Sequence, residues 1–122
     1  MAKLVDDAVL DGALNIIKNG STRMVLCSAQ PTTYTEGNAT FALADVTIAP
    51  GDLIVSGTSG RTLTVAAKAG VTVDASGTGN HVCLLNVAST RLDYVTTTTS
   101  TAVAAAGTVD IGSWTITLQD PV

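Results

Sequence analysis

The sequence predicts a mostly-β fold: an antiparallel β-sandwich or partly open barrel of about seven or eight short strands behind one N-terminal helix. Three observations carry that expectation. Of 122 residues, 40 are β-branched (20 Thr, 14 Val and 6 Ile), and branching at Cβ suits a pleated, half-buried surface. Short apolar runs recur between Gly, Pro, Asn and Asp, which punctuate strands and turns. Helical periodicity occurs once, at the start, so strands do not alternate with helices as a parallel α/β sheet requires. The length fits a single domain over 1–122, with a helix over about 4–19 and a β-region over about 22–119.

The helix is signalled by Val5, Val9, Ala13 and Ile16 on one stripe, widened by Leu10, Leu14 and Ile17. Asp6 and Asp7 in the first turn and Lys18 in the last complement the helix dipole. Asn19-Gly20 reads as a left-handed stop. Next, 22–28 reads as a strand whose nearly continuous Met24-Val25-Leu26-Cys27 suggests burial on both faces. A loop is expected over 30–38, an edge strand over 40–43 and a turn at Ile48–Asp52. Leu53–Gly57 and Arg61–Ala67 form a hairpin around Thr58-Ser59-Gly60. Further strands are expected at 71–75, 81–88, 91–97 and 113–118, with a glycine-rich loop at 76–80 and a turn at Ser89-Thr90. The Ala run in 100–107 suits helix or strand. The last strand alternates most cleanly, Trp114, Ile116 and Leu118 against Thr115 and Thr117. Val5, Val9, Leu10, Leu14, Ile17, Leu26, Leu53, Val65, Leu84, Val87, Trp114 and Ile116 form the expected core.

Composition narrows the function. Charged residues are 13% of the chain, about half the globular average of roughly 25%. The formal charge is −4 with only 6 Lys and Arg, which argues against a nucleic-acid surface. No apolar run approaches a membrane span. The opening, Met1 to Asp7, lacks the long apolar segment of a signal peptide, so synthesis in a cytoplasm is expected. A surface of Thr and Ala is easily dehydrated, which suits a protein that ends up against other subunits.

Few residues could carry chemistry. Cys27 and Cys83 read as buried thiols, with a disulfide open if their strands are neighbours. His81, Cys83 and Cys27 supply at most three soft ligands, short of a structural zinc site. His81 is the single imidazole, and no serine sits in a nucleophile elbow. Asp45, Asp52, Asp74, Asp93, Asp110 and Asp120 read as solvated turn residues without the spacing of a calcium loop. Tyr34, Phe41, Tyr94 and Trp114 are too few for a stacking platform. No catalytic, cofactor or metal residue is assigned, and a non-enzymatic role is expected.

Two stretches carry a resemblance. They are the opening Met1-Ala2-Lys3-Leu4-Val5-Asp6-Asp7, running through its helix into Arg23-Met24-Val25-Leu26-Cys27-Ser28-Ala29-Gln30-Pro31-Thr32-Thr33-Tyr34, and the close Trp114-Thr115-Ile116-Thr117-Leu118-Gln119-Asp120-Pro121-Val122. Together they resemble small proteins encoded among the virion genes of tailed bacteriophages. The resemblance implies a capsid decoration, or cement, protein on the virion surface, with the major capsid protein as its partner and a homo-oligomer on the shell. No nucleic acid, membrane or cofactor is implied. A tail or head-fibre component and a glycan-binding host-recognition module are the alternatives, followed by a small hydrolase dependent on His81.

Overall fold

The computed structural model describes residues 6–57 and 60–118. Helix α1 (Asp7–Gly20) is followed, among the described residues, by strands β1 (Arg23–Cys27), β2 (Ala42–Thr47), β3 (Leu53–Ser56), β4 (Arg61–Val65), β5 (Lys68–Thr72), β6 (Gly77–Asn86), β7 (Arg91–Val103), β8 (Thr108–Ile111) and β9 (Trp114–Leu118). They form a sandwich-like pair of antiparallel sheets, ordered β2-β1-β6-β7 and β3-β4-β9, with a β5-β8 ribbon beside β2. A bridge between Ala44 and Val73 joins the ribbon to the larger sheet.

The near-continuous apolar run in β1 reflects burial on both faces. Met24 and Leu26 point with Val82 and Leu84 of β6 into the main core, where Leu53, Leu63, Val65 and Ile116 of the smaller sheet meet them. Val25 and Cys27 point the other way, with Cys83 and Leu85, under Tyr34 and Phe41. The segment over 31–41, which includes one π-helical turn at Glu36–Thr40, therefore covers the second face. Arg23 fastens it, donating from Nη1 to Asn38 Oδ1 at 2.6 Å.

The helix begins at Asp6, whose carboxylate accepts the Ala8 N–H at 2.8 Å. Lys18 Nζ donates to the carbonyls of Pro50 and Leu53, and Arg61 Nε pairs with Asp11 at 2.7 Å. These contacts lay α1 antiparallel to β3, where it closes one side of the sandwich over Leu53 and Leu63.

Several expectations are corrected. Of the helix residues expected in the core, Leu14 is buried and Leu10 and Ile17 are half-buried, but Val9 is 66% exposed; Ile16, on the same stripe as Val9, is 60% exposed. Val5 lies outside the described residues. Both stripes are apolar, and periodicity alone cannot choose between two candidate faces of one helix. Gly20 does not take the left-handed conformation. The chain leaves the helix extended at Ser21, and a Cβ at Gly20 would lie 2.8 Å from Asn86 Nδ2, so close approach is what requires glycine there. The 76–80 segment is not a loop; Gly77 opens β6. The strand expected at 91–97 runs on to Val103, so the Thr run is strand, and β8 was not anticipated, giving nine strands among the described residues. The turn after β6 has four residues, Val87–Thr90, with Thr90 at φ 49°. Val87 is half-buried in that turn, not core. Thr58 and Ser59 of the expected β3–β4 hairpin lie outside the described residues, although the two strands pair as expected.

Asp52 ties the turn before β3 to the ribbon. Its carboxylate accepts the Ala49 N–H at 2.9 Å and pairs with Lys68 at 3.0 Å. The Ala49 amide, then Lys68, hold this carboxyl below the usual carboxylate range. The Thr32 hydroxyl does the same for Glu36. A carboxyl with a lowered folded value stabilises the fold above its unfolded value, and that contribution is lost as pH falls through the folded value. Urea unfolding from about pH 6 to about pH 2 should therefore show wild type losing more stability on acidification than Asp52→Asn. Parallel curves for the two proteins would remove Asp52 from the acid response.

Candidate functional site

The outward face of α1 is the most distinctive surface. Ala8, Val9, Gly12, Ala13, Asn15, Ile16 and Asn19 are exposed, and none carries a charge. Among the described side chains of the helix, the ionisable groups Asp11 and Lys18 face the body, bound to Arg61 and to backbone carbonyls. This inverts the usual arrangement, in which a surface helix turns its charges to water. A glycine inside a helix also destabilises it by roughly 0.5–1 kcal/mol relative to alanine. Nothing among the described residues requires one at position 12, because a Cβ there would meet none of their atoms within 4 Å.

A second feature lies between the free edges of the two sheets. There Trp114 of β9 stacks on Tyr94 of β7 at 5.8 Å between ring centroids and 25° between planes. Beside the pair is a cleft of about 130 Å³ lined by Val82, Thr96, Thr97, Thr98 and the Ile111–Trp114 turn. It falls well short of the roughly 300 Å³ at which small-molecule pockets begin. Trp114 was expected in the core. It is half-buried at the core's margin instead, and its buried indole N–H has no acceptor among the described protein groups. From Tyr94 to Val103, β7 carries no charged residue.

The candidates for chemistry assemble only in part. Val25 of β1 pairs with Cys83 of β6, and Cys27 with His81, which brings the two thiols to 3.8 Å on one buried face. Both cysteines are free. Cys27 also contacts the Gly37 carbonyl. Hydrogen bonding to Cys27 and burial push the Cys83 thiol far up from its ordinary value. His81 Nδ1 lies 2.6 Å from Asn80 Oδ1. Among the described residues no three His, Cys, Asp or Glu side chains cluster as metal ligands. Neither thiol has exposed surface, so the native protein should show no thiol reactive toward an aromatic disulfide reagent at neutral pH, and two after unfolding. One rapidly titrating thiol in the native state would contradict this packing.

The aspartates do not behave alike. Asp74 is exposed between strands, as expected; Asp45 is exposed but lies in strand β2, and Asp110 lies in β8, where it accepts the Gly70 N–H at 2.8 Å. Asp120 lies outside the described residues. Asp93 departs from the expectation: its side chain is only 2% exposed, bonded to Arg91 and accepting from Ser21 Oγ at 2.7 Å. It is the extra residue where β7 slips register against β6, between Leu92 and Tyr94. The bulge turns its carboxylate toward the end of α1.

Comparison with family models, with curated proteins and with solved structures finds no match for this chain. Sequence reasoning missed the α1 face because it put Val9 in the core and read Val9, Ala13 and Ile16 as one apolar stripe with Leu10, Leu14 and Ile17. The charge-free run Ala8, Val9, Gly12, Ala13 and Ile16 was the signal available.

Proposed function

We propose that this chain is a non-enzymatic virion structural protein of a tailed bacteriophage, acting as a capsid decoration protein that binds the major capsid protein. The observation that carries the reading is charge-free exposed surface on two separate elements, the outer face of α1 and β7 from Tyr94 to Val103. Such surface can be buried against a neighbour without desolvating ions. Exposed apolar groups such as Val9 and Ile16 mark interaction sites when they are grouped. A repeated shell multiplies modest contacts into tight attachment. The resemblance at the two ends of the chain supplies the biological setting.

The test is copy number in purified virions, by gel densitometry against the major capsid protein. About one copy per capsid subunit, or a simple fraction of that, is expected of a decoration protein. A few copies per particle would transfer the chain to the tail or a fibre. Absence from particles would overturn the virion reading.

A further inference from the structure

We propose that Cys27 and Cys83 are an oxidisable dithiol site, which hydrogen peroxide joins in a disulfide that fastens β1 to β6 beneath the 31–41 cover. This goes beyond the virion reading and does not depend on it, because it concerns the chain alone.

The fold holds the two sulfurs together. Cys27 stands opposite His81, and Val25 opposite Cys83, so the cysteines are one diagonal step apart on one face of neighbouring strands. Their sulfurs are 3.8 Å apart, whereas a disulfide needs about 2.05 Å. Rotation about the Cα–Cβ bonds supplies part of that approach, and backbone movement at Cys27 supplies the rest. Cys27 is the last residue of β1, and the pairing of β1 with β2 slips register between Leu26 and Cys27. The strand is therefore least regularly held beside the sulfur that has to move.

The chemistry divides between the two residues. The Cys83 S–H donates to Cys27, which holds the Cys27 thiol below its ordinary value and Cys83 above it. Cys27 is thus the nucleophile, and Cys83 keeps its proton. The Cys27 thiolate attacks one peroxide oxygen, the O–O bond breaks, and the departing hydroxide takes up the proton that Cys27 gave up. Cys27 is then a sulfenic acid. The Cys83 sulfur attacks the Cys27 sulfur, the S–O bond breaks, and the Cys83 proton leaves with the hydroxyl as a second water. Two thiols are oxidised and one peroxide is reduced to two waters.

Burial selects the oxidant. Neither sulfur has exposed surface. Gly37 lies directly over the pair: its carbonyl is 3.8 Å from Cys27 Sγ, and a Cβ on it would lie 3.1 Å from Cys83 Sγ. A bulky aromatic disulfide is excluded by that cover. Hydrogen peroxide is little larger than water, and small local openings of the 31–41 segment admit it.

Peptide mapping of the full chain tests the site. Native protein is treated with excess hydrogen peroxide at neutral pH, quenched with catalase, unfolded, alkylated and cut with trypsin. Cleavage after Arg23, Arg61, Lys68 and Arg91 places Cys27 in 24–61 and Cys83 in 69–91. These two peptides should appear joined, lighter than their sum by two hydrogens, and should separate on adding dithiothreitol. The oxidised chain should stay monomeric and unfold at a higher urea concentration than the reduced one, because the bridge joins residues 56 apart. Cys83→Ala should accumulate Cys27 carrying oxygen, since the second sulfur is gone. Relative to the unfolded chain, folding should slow peroxide oxidation at least tenfold less than it slows the aromatic disulfide reagent. Recovery of both cysteines alkylated, bridges between chains, or equal slowing of the two reagents would each overturn the proposal.

Discussion

Leu84→Ala should lower the unfolding free energy by about 2–5 kcal/mol, measured by urea denaturation. Leu84 has no exposed surface and lies in β6, near the centre of the larger sheet, facing the smaller one. Removing its isobutyl group withdraws contacts from both sheets at once. The flanking strands β1 and β7 hold β6 in register on both edges, so the backbone cannot collapse to fill the void, and the upper part of the range is the reference. Leu85→Ala probes the opposite face, where Val25 and the two cysteines form a smaller cluster under 31–41. That covering segment is held at fewer points and can settle inward, so its loss should be the smaller of the two. Equal losses would mean that both faces are equally rigid.

Gly79→Ala should destabilise the fold by about 1–3 kcal/mol through overpacking. A Cβ at position 79 would lie 2.6 to 2.7 Å from three side-chain carbons of Leu26. Leu26 is itself buried in the main core, 3% exposed, and cannot swing into solvent. The two changes must therefore couple. In Leu26→Ala the added methyl meets open space, and Gly79→Ala should become nearly neutral in that background. Additive losses in the double mutant would show that the penalty at 79 comes from the backbone rather than from the leucine.

Gly79 also illustrates what the sequence could and could not disclose. Ser76-Gly77-Thr78-Gly79-Asn80 has a loop's composition, yet Gly77 and Gly79 are strand residues whose small size admits Leu43 and Leu26. The requirement at Gly79 comes from β1, 53 residues away, and that at Gly77 from β2, 34 residues away, and neither leaves a local trace. The mostly-β class, the antiparallel pairing and the doubly buried β1 were legible, because they follow from Cβ branching and from apolar runs within single strands. The helix was legible as a helix, through Asp6 and its periodicity. Its orientation was legible only in part: Leu10, Leu14 and Ile17 were expected inward and lie so, but Val9 competed with them for the same role and is exposed. What decides between them is the position of Arg61, Pro50 and Leu53, which hold Asp11 and Lys18 against the body. Asp93 was misread for a similar reason. Only the bulge in β7 brings its carboxylate to Ser21, and a bulge is a property of two strands together.

The doubly buried β1 also bears on how the chain folds during synthesis. Cys27 and Cys83 are 56 residues apart, so at about 5–20 residues per second the ribosome takes roughly 3–11 s to supply the strand that β1 needs on its second edge. Through that interval Met24-Val25-Leu26-Cys27 is a neutral, strongly apolar segment with Arg23 as its only flanking charge. Such a segment is prone to pair with its like on neighbouring nascent chains. Expression yield should accordingly depend on chaperone capacity and on translation speed between β1 and β6, even though the finished fold hides that strand completely.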